Sequence, residues 1–219
     1  CTITVTDSLG YVSNTLTITS FIVDQTAATL EEVTAVSTPT NDTTPDYTFS
    51  SSEAGTITYG GSCSSSTTSA TTGNNTITLV SLSDDTYSDC TITVTDNASN
   101  SVTLNISSFV IDTTAPTVSS TSPSDGATTD VNSFSATFSE IVDNTTLTTS
   151  TFTVTDNSSN AVSGTVSSSD NTTAKNTTVT FTPSSMTNGS YTATVSNAVK
   201  DLAGNSLAQN YSWSFEIKW

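Results

Sequence analysis

Cys90 to Pro116 reads CTITVTDNASNSVTLNISSFVIDTTAP, and nearly the same text opens the chain as CTITVTDSLGYVSNTLTITSFIVD, from Cys1 to Asp24. A looser third version runs from Tyr191 to Lys218. Within each copy, apolar residues alternate with Thr, the period-two pattern of a half-buried strand. Thr is β-branched and suits the solvated face of a sheet. One pattern written three times predicts a tandem array of small, similar β domains.

The alternation decides between two opposite readings of the composition. Ser and Thr together number 91 of 219 residues, and hydrophobic residues make up only 33%, which by itself suits a disordered, mucin-like stalk. Strict alternation over long runs argues instead for folded sheet. Charge is one-sided: 20 acidic residues against Lys175, Lys200 and Lys218, with no His and a formal net charge of −17. Nucleic acid as a partner is excluded for want of a basic footprint. An anionic membrane surface would repel such a chain, and no run approaches the roughly 20 apolar residues of a membrane-spanning helix. The expected partners are cations, neutral glycans or other proteins.

In chain order, residues 1–24 read as a hairpin turned at Asp7-Ser8-Leu9-Gly10, the last two strands of an incomplete unit. Such a hairpin cannot bury a core alone. After Leu16 and Ile18 the apolar parity slips, so that Phe21 and Val23 fall on the other count. Leu104 and Ile106 are followed by Phe109 and Ile111 with the same slip. A β-bulge is expected near Ser20 and near Ser107-Ser108.

Residues 25–112 form the second unit, with strands predicted at Glu32–Ser37, Asp46–Ser51, Gly55–Gly60, Asn75–Val80, Tyr87–Asp96 and Val102–Asp112. Residues 113–219 form the third, with strands at Thr117–Ser122, Ser133–Ser139, Thr151–Thr155, Gly164–Ser168, Thr177–Thr182, Gly189–Val195 and Tyr211–Ile217. Trp213 is expected in the core and Trp219 outside it. Short strands separated by regular turns fit antiparallel sandwiches.

Several blocks in order carry a family resemblance. SPSDGATTDVNSFSATFSEIVDNTTLTTSTFTVTD, then VSGTV, then FTPSSMTNGSYTATVSNAVKDLAGNSLAQNYSWSFEI, spanning about 115–217, resemble the SbsA-type bacterial immunoglobulin-like domain of S-layer and other surface proteins. SEIVDNTTL departs from that family, which more usually has Pro after Ser-Glu. The second unit, through TPTNDTTPDYTFSSSEAGTITYGGSC and CTITVTDNASN, resembles another bacterial immunoglobulin-like repeat. The resemblance implies an all-β chain of tandem immunoglobulin-like antiparallel sandwiches, a stalk or adhesin role, and no catalytic residues.

Candidate chemistry is sparse. Cys63 and Cys90 enclose a 28-residue loop and are expected to form a disulfide; a metal site would need further soft ligands that the chain lacks. Cys1 holds the place of Cys90 in the first copy and is left unpaired. By the repeat, its partner would lie about 26 residues before the chain begins, as if a preceding domain had been cut. Asp24 and Asp112 end their units at equivalent positions, and Asp7 and Asp96 sit at the preceding turns. These four are candidate calcium ligands at junctions or loops, although Asp is also an ordinary turn residue. Lys218 stands where the third unit would carry its terminal Asp, so a site is expected to be missing there. Ten Asn-x-Ser/Thr sequons are too few above chance to indicate glycosylation.

No nucleophile–base triad can be assembled without His, and no phosphate-binding glycine loop is present. The chain is therefore read as no enzyme. The leading expectation is an extracellular structural or adhesive module, a spacer or stalk segment of a repetitive cell-surface protein whose partners are adjacent repeats. The alternative is a subunit of an extracellular filament or sheath, in which residues 1–24 complete a neighbouring subunit's sandwich by strand addition. A glycan or surface-protein target is a third possibility, with Tyr11 and Trp219 as the only loose aromatic candidates.

Overall fold

The computed structural model describes residues 1–219, built from nineteen strands and one short 3-10 turn at Asn144–Thr146. The hairpin comprises β1 (Thr2–Ile3) and β2 (Leu16–Thr17), which pair only with each other. No residue of 1–24 is buried.

The second unit contains β3 (Leu30–Thr34), β4 (Asp46–Ser51), β5 (Gly55–Gly60), β6 (Ser69–Ala70), β7 (Gly73–Thr78), β8 (Asp85–Tyr87), β9 (Thr91–Thr95), β10 (Ser101–Asn105) and β11 (Phe109–Ile111). One sheet has the order β3-β4-β7, a second β10-β9-β5-β6, and β11 pairs with β8. Tyr47 and Phe49 of β4, Ile77 of β7, Ile57 of β5, Ile92 and Val94 of β9, and Phe109 and Ile111 of β11 share one core. Each fully buried side chain of this size contributes roughly 1.5–3 kcal/mol over exposure.

The third unit contains β12 (Val118–Ser122), β13 (Thr128–Thr129), β14 (Phe134–Phe138), β15 (Phe152–Asp156), β16 (Gly164–Asn171), β17 (Asn176–Pro183), β18 (Gly189–Val195) and β19 (Tyr211–Ile217). Its sheets run β12-β14-β17-β16 and β13-β19-β18-β15. Phe134, Ala136 and Phe138 face Trp213, Phe215 and Ile217 across the core. Trp213 is buried and Trp219 is exposed, as the alternation required.

The outward faces explain the Thr and Ser. Cross-strand hydroxyl pairs run along both units: Thr48 with Thr76 at 2.8 Å, Thr93 with Thr103 at 2.7 Å, Thr137 with Thr178 at 2.9 Å, and Thr194 with Ser212 at 2.8 Å. Such pairs stabilise neighbouring strands by a few tenths of a kcal/mol, about 0.2–1 each. The composition that resembles a disordered stalk is thus the solvated half of ordinary sheets.

The strands at Asp46–Ser51, Gly55–Gly60, Gly189–Val195 and Tyr211–Ile217 match the periodicity residue for residue. Two expectations need correction. The long strands Tyr87–Asp96 and Val102–Asp112 are each two strands, and the parity slip at Ser107-Ser108 is not a bulge within a ladder. β10 belongs to the β9–β5 sheet while β11 pairs with β8, so the chain changes sheets there. Alternation must break at such a corner, because Ile106 and Phe109 reach one core from two different sheets. The corner is tied down by Glu32, whose carboxylate accepts from Ser107 N–H at 3.0 Å and from Ser107 Oγ at 2.7 Å. Burial disfavours the charged form of Glu32, yet these hydrogen bonds outweigh it and hold the group below its ordinary value.

Cys63 and Cys90 are joined, with Cα atoms 5.2 Å apart and both residues buried. Closing a loop of this length contributes about 3 kcal/mol on the loop-entropy argument. Cys1 is free and exposed.

Candidate functional site at the unit junctions

One five-residue loop occurs four times, starting at Asp7, Asp96, Asp156 and Asp201. The sequences are DSLGY, DNASN, DNSSN and DLAGN. In every copy the Asp backbone N–H donates to the carbonyl of the fifth residue, and the fourth residue's N–H returns to the Asp carbonyl. The Asp carboxylate accepts from the fifth residue's N–H at 2.8–3.0 Å. The fourth residue takes positive φ each time: Gly10 +89°, Ser99 +72°, Ser159 +64° and Gly204 +98°. Glycine takes that conformation freely, whereas Ser there is strained. The loop therefore needs Asp at its first position and a tolerant residue at its fourth, and the carboxylate orders the turn from within.

Two of these loops grip the linker that precedes their own unit. Asn205 Nδ2 donates to Asp201 Oδ2 at 2.8 Å, to the Asp112 carbonyl at 2.8 Å and to the Thr114 carbonyl at 3.3 Å. Asn100 Nδ2 does the same one unit earlier, reaching Asp96 Oδ2 at 2.9 Å and the carbonyls of Asp24 at 3.3 Å and Thr26 at 3.4 Å. The equivalent linker residues Ala28 and Pro116 are buried. Between the second and third units, Asn41 adds contacts: its N–H donates to the Ala203 carbonyl at 3.2 Å and its amide to Asn205 Oδ1 at 3.1 Å.

Each junction also gathers three carboxylates. Asp24, Glu53 and Asp96 form one group, and Asp112, Glu140 and Asp201 the other; within each, one ligand atom per residue lies within 4.8 Å of the others. Oxygens around a calcium ion at about 2.4 Å span up to about 4.8 Å across the ion, so each trio is of the right size for a hard cation. Burial, then the neighbouring Asp112 and Asp201 charges, push Glu140 up to about 7. Asp96 is held below its ordinary value chiefly by the hydrogen bond from the Asn100 side chain. Lys175 lines the same groove as Asp112 and Glu140, but the chain's one ion pair is Lys218 with Glu216, at 3.1 Å.

The four candidate residues are thus divided. Asp24 and Asp96 meet at the first junction. Asp112 lies at the second, without either of them. Asp7 orders its own exposed loop, its carboxylate accepting from Leu9 and Tyr11 N–H, and stands in neither trio. Lys218, where a terminal Asp would stand, lies at the far end of the third unit and belongs to neither trio. At its near end that unit supplies Glu140 and Asp201.

Sequence reading missed Glu53, Glu140, Asp201 and the two asparagines. A signal for the last three existed, since D-x-x-x-N recurs at 96, 156 and 201, although only its first and third copies reach a linker. The glutamates each follow a core Phe through a run of one to three Ser, in FSSSE and FSE.

Residues 112–217 match the model of a bacterial immunoglobulin-like domain. The chain is similar to the N-terminal part of the bacterial S-layer protein SbsC at 24% identity and a TM-score of 0.37, covering 48% of this chain and 24% of that one. It is similar to PcoC, a methionine-rich copper resistance protein from Escherichia coli, at 14% identity and a TM-score of 0.37, covering 48% of this chain and 100% of that one. A structure of SbsC domains 4–9 aligns at 15% identity and a TM-score of 0.27, covering 87% of this chain and 31% of that one. No curated protein matches the chain.

Proposed function

We propose, from the match of residues 112–217 to a bacterial immunoglobulin-like domain, that this chain is a structural module of a repetitive extracellular protein. In this reading it is a stalk or spacer segment whose units are set at fixed angles. The observation that carries it is the repeated joint: the Asn of a D-x-x-x-N loop donates to two carbonyls of the incoming linker at both junctions. A spacer must transmit orientation from one unit to the next, and a linker held by the following unit does so. The disulfide and the acidic, strongly hydrated surface are in keeping with an oxidising, extracellular setting. The role is mechanical and involves no chemical step.

Calcium is the proposed ligand of both joints. Oxygen-only trios with nearby carbonyls suit a hard cation, and binding would relieve the repulsion by Asp112 and Asp201 that, after burial, pushes up Glu140. Asp24 and Asp112 would link the preceding linker to the acids of the following unit, so the ion would bridge the two sides of each joint.

Small-angle scattering and NMR relaxation of residues 1–219, with calcium and with chelator, test the reading. A particle of one shape whose second and third units tumble together, more tightly with calcium, is expected. Independent tumbling of these units under both conditions removes the stalk reading; joint tumbling indifferent to calcium keeps the stalk and removes the ion.

A further inference from the structure

The hairpin 1–24 is preformed in the shape of a segment whose partner surface is present elsewhere in the chain. Thr2 pairs with Thr17 and Ile3 with Leu16, as Thr91 pairs with Asn105 and Ile92 with Leu104. Ile18 N–H donates to the Cys1 carbonyl at 2.9 Å, as Ile106 N–H does to the Cys90 carbonyl at 3.0 Å. The Asp7 loop repeats the Asp96 loop. One extra residue near Ser13 is absorbed between the loop and β2, where Ser13 Oγ takes the Val5 N–H at 2.9 Å. The match continues through Phe21, Val23 and Asp24, the counterparts of Phe109, Ile111 and Asp112.

Burial is where the two copies part. Ile92, Val94, Phe109 and Ile111 are all at most 1% exposed, whereas Ile3, Val5, Phe21 and Val23 are 47–71% exposed. In the second unit those residues pack into one core with Tyr47, Phe49 and Ile77 of the β3-β4-β7 sheet, and particular strands flank them. β5 lies along β9, with Ile57 opposite Val94 and Tyr59 opposite Ile92. β8 lies along β11, with Tyr87 opposite Phe109. Cys63 bonds Cys90.

We infer that the hairpin is the docking surface for an immunoglobulin-like sandwich lacking its last three strands, a segment built like residues 28–89 with a cysteine at the position of Cys63. Free ladder groups on β1 call for a strand rather than a lipid or sugar. The exposed apolar residues fall at the positions that such a segment covers in the second unit. A second copy of this chain does not fit, because its own residues 90–112 already fill its 28–89 surface, and its third unit fills its core from its own strands. Copies of this chain therefore offer one another no 28–89 segment that lacks its last three strands.

The test joins a second copy of residues 25–89 ahead of Cys1 of the full chain, in a glutathione buffer. If the segment docks, Cys1 and the added cysteine each give up a thiol hydrogen and form the S–S bond. Oxidised glutathione takes the two electrons and two protons and becomes two reduced molecules. Free thiols per chain should fall to none, against one in the unfused protein, and amide exchange across 1–24 should slow by at least about 100-fold, as for a buried sheet. Slowed exchange that persists when Cys1→Ser removes the disulfide, and is lost in a V5D/F21D fusion, supports docking by the apolar face. A fused protein whose hairpin still exchanges as in the parent overturns the proposal. So does a dimer of unfused 1–219 that buries the hairpin, which would make a second copy the occupant.

Discussion

At the residue scale, Asn205 and Asn160 occupy the same place in the same loop, but only Asn205 reaches a linker. Asn160 Nδ2 bonds Asp156 Oδ2 alone, at 2.9 Å. Asn205→Ala leaves the Asp112 carbonyl without this donor as well, so it should cost about 1–3 kcal/mol, and Asn160→Ala about 1 kcal/mol less than that. Urea unfolding of the two variants checks the difference; equal costs would mean that the linker bond contributes nothing. Glu140 makes a second prediction. With its ordinary value of 4.5 raised to about 7 by burial and by Asp112 and Asp201, the folded chain holds a proton between those pH values that the unfolded chain has released. Calcium-free stability should therefore fall as pH rises from about 4.5 to about 7. Asp96 and Asp156, held low by their Asn partners, act in the opposite sense, and their contribution is lost as pH falls through the acid range. Melting curves across pH should show Glu140→Gln removing the decline toward pH 7; an unchanged slope would place its origin elsewhere.

At the element scale, the D-x-x-x-N loop places its strain in one residue. Gly204 at φ +98° tolerates the turn, while Ser99 at +72° and Ser159 at +64° do not do so freely. Gly204→Ala should destabilise by about 1–2 kcal/mol. Ser99→Gly, which relieves the strain but adds unfolded-state freedom, should fall within about 0.5 kcal/mol of zero. Opposite ranking in denaturant midpoints would show that side-chain contacts, not φ, choose the fourth residue. The loop was legible as a turn, because Asp and Asn between two alternating runs are turn chemistry. Its reach into the neighbouring linker was not legible, since the acceptors are backbone carbonyls and leave no residue signature.

At the scale of the whole molecule, two kinds of electrostatic repulsion coexist. A net charge of −17 opposes compaction everywhere and is screened by any salt, with a Debye length of about 8 Å at physiological ionic strength. The junction trios are local and should answer to calcium specifically. At matched ionic strength, calcium should raise the melting temperature more than sodium or magnesium does, and substitution of Asp112 together with Asp201 by Asn should remove the second junction's share of the excess. Changing Asp24 and Asp96 as well should remove the rest. Equal shifts from all three salts would assign the whole effect to screening.

The alternating apolar residues, by themselves, determined that the chain is a series of antiparallel sandwiches, because a period of two can bury only one face of a sheet. They placed Trp213 inside, and the repeat identified Cys1 as the counterpart of Cys90. Tertiary structure alone decided where the strands change sheets, since one break in parity describes a bulge and a corner equally well. It alone brought Glu53 to Asp24 and Glu140 to Asp112, because carboxylates far apart in sequence meet only after two units have been stacked. For residues 1–24, the pattern specified the face to be buried, and the second unit displays the strands that bury it.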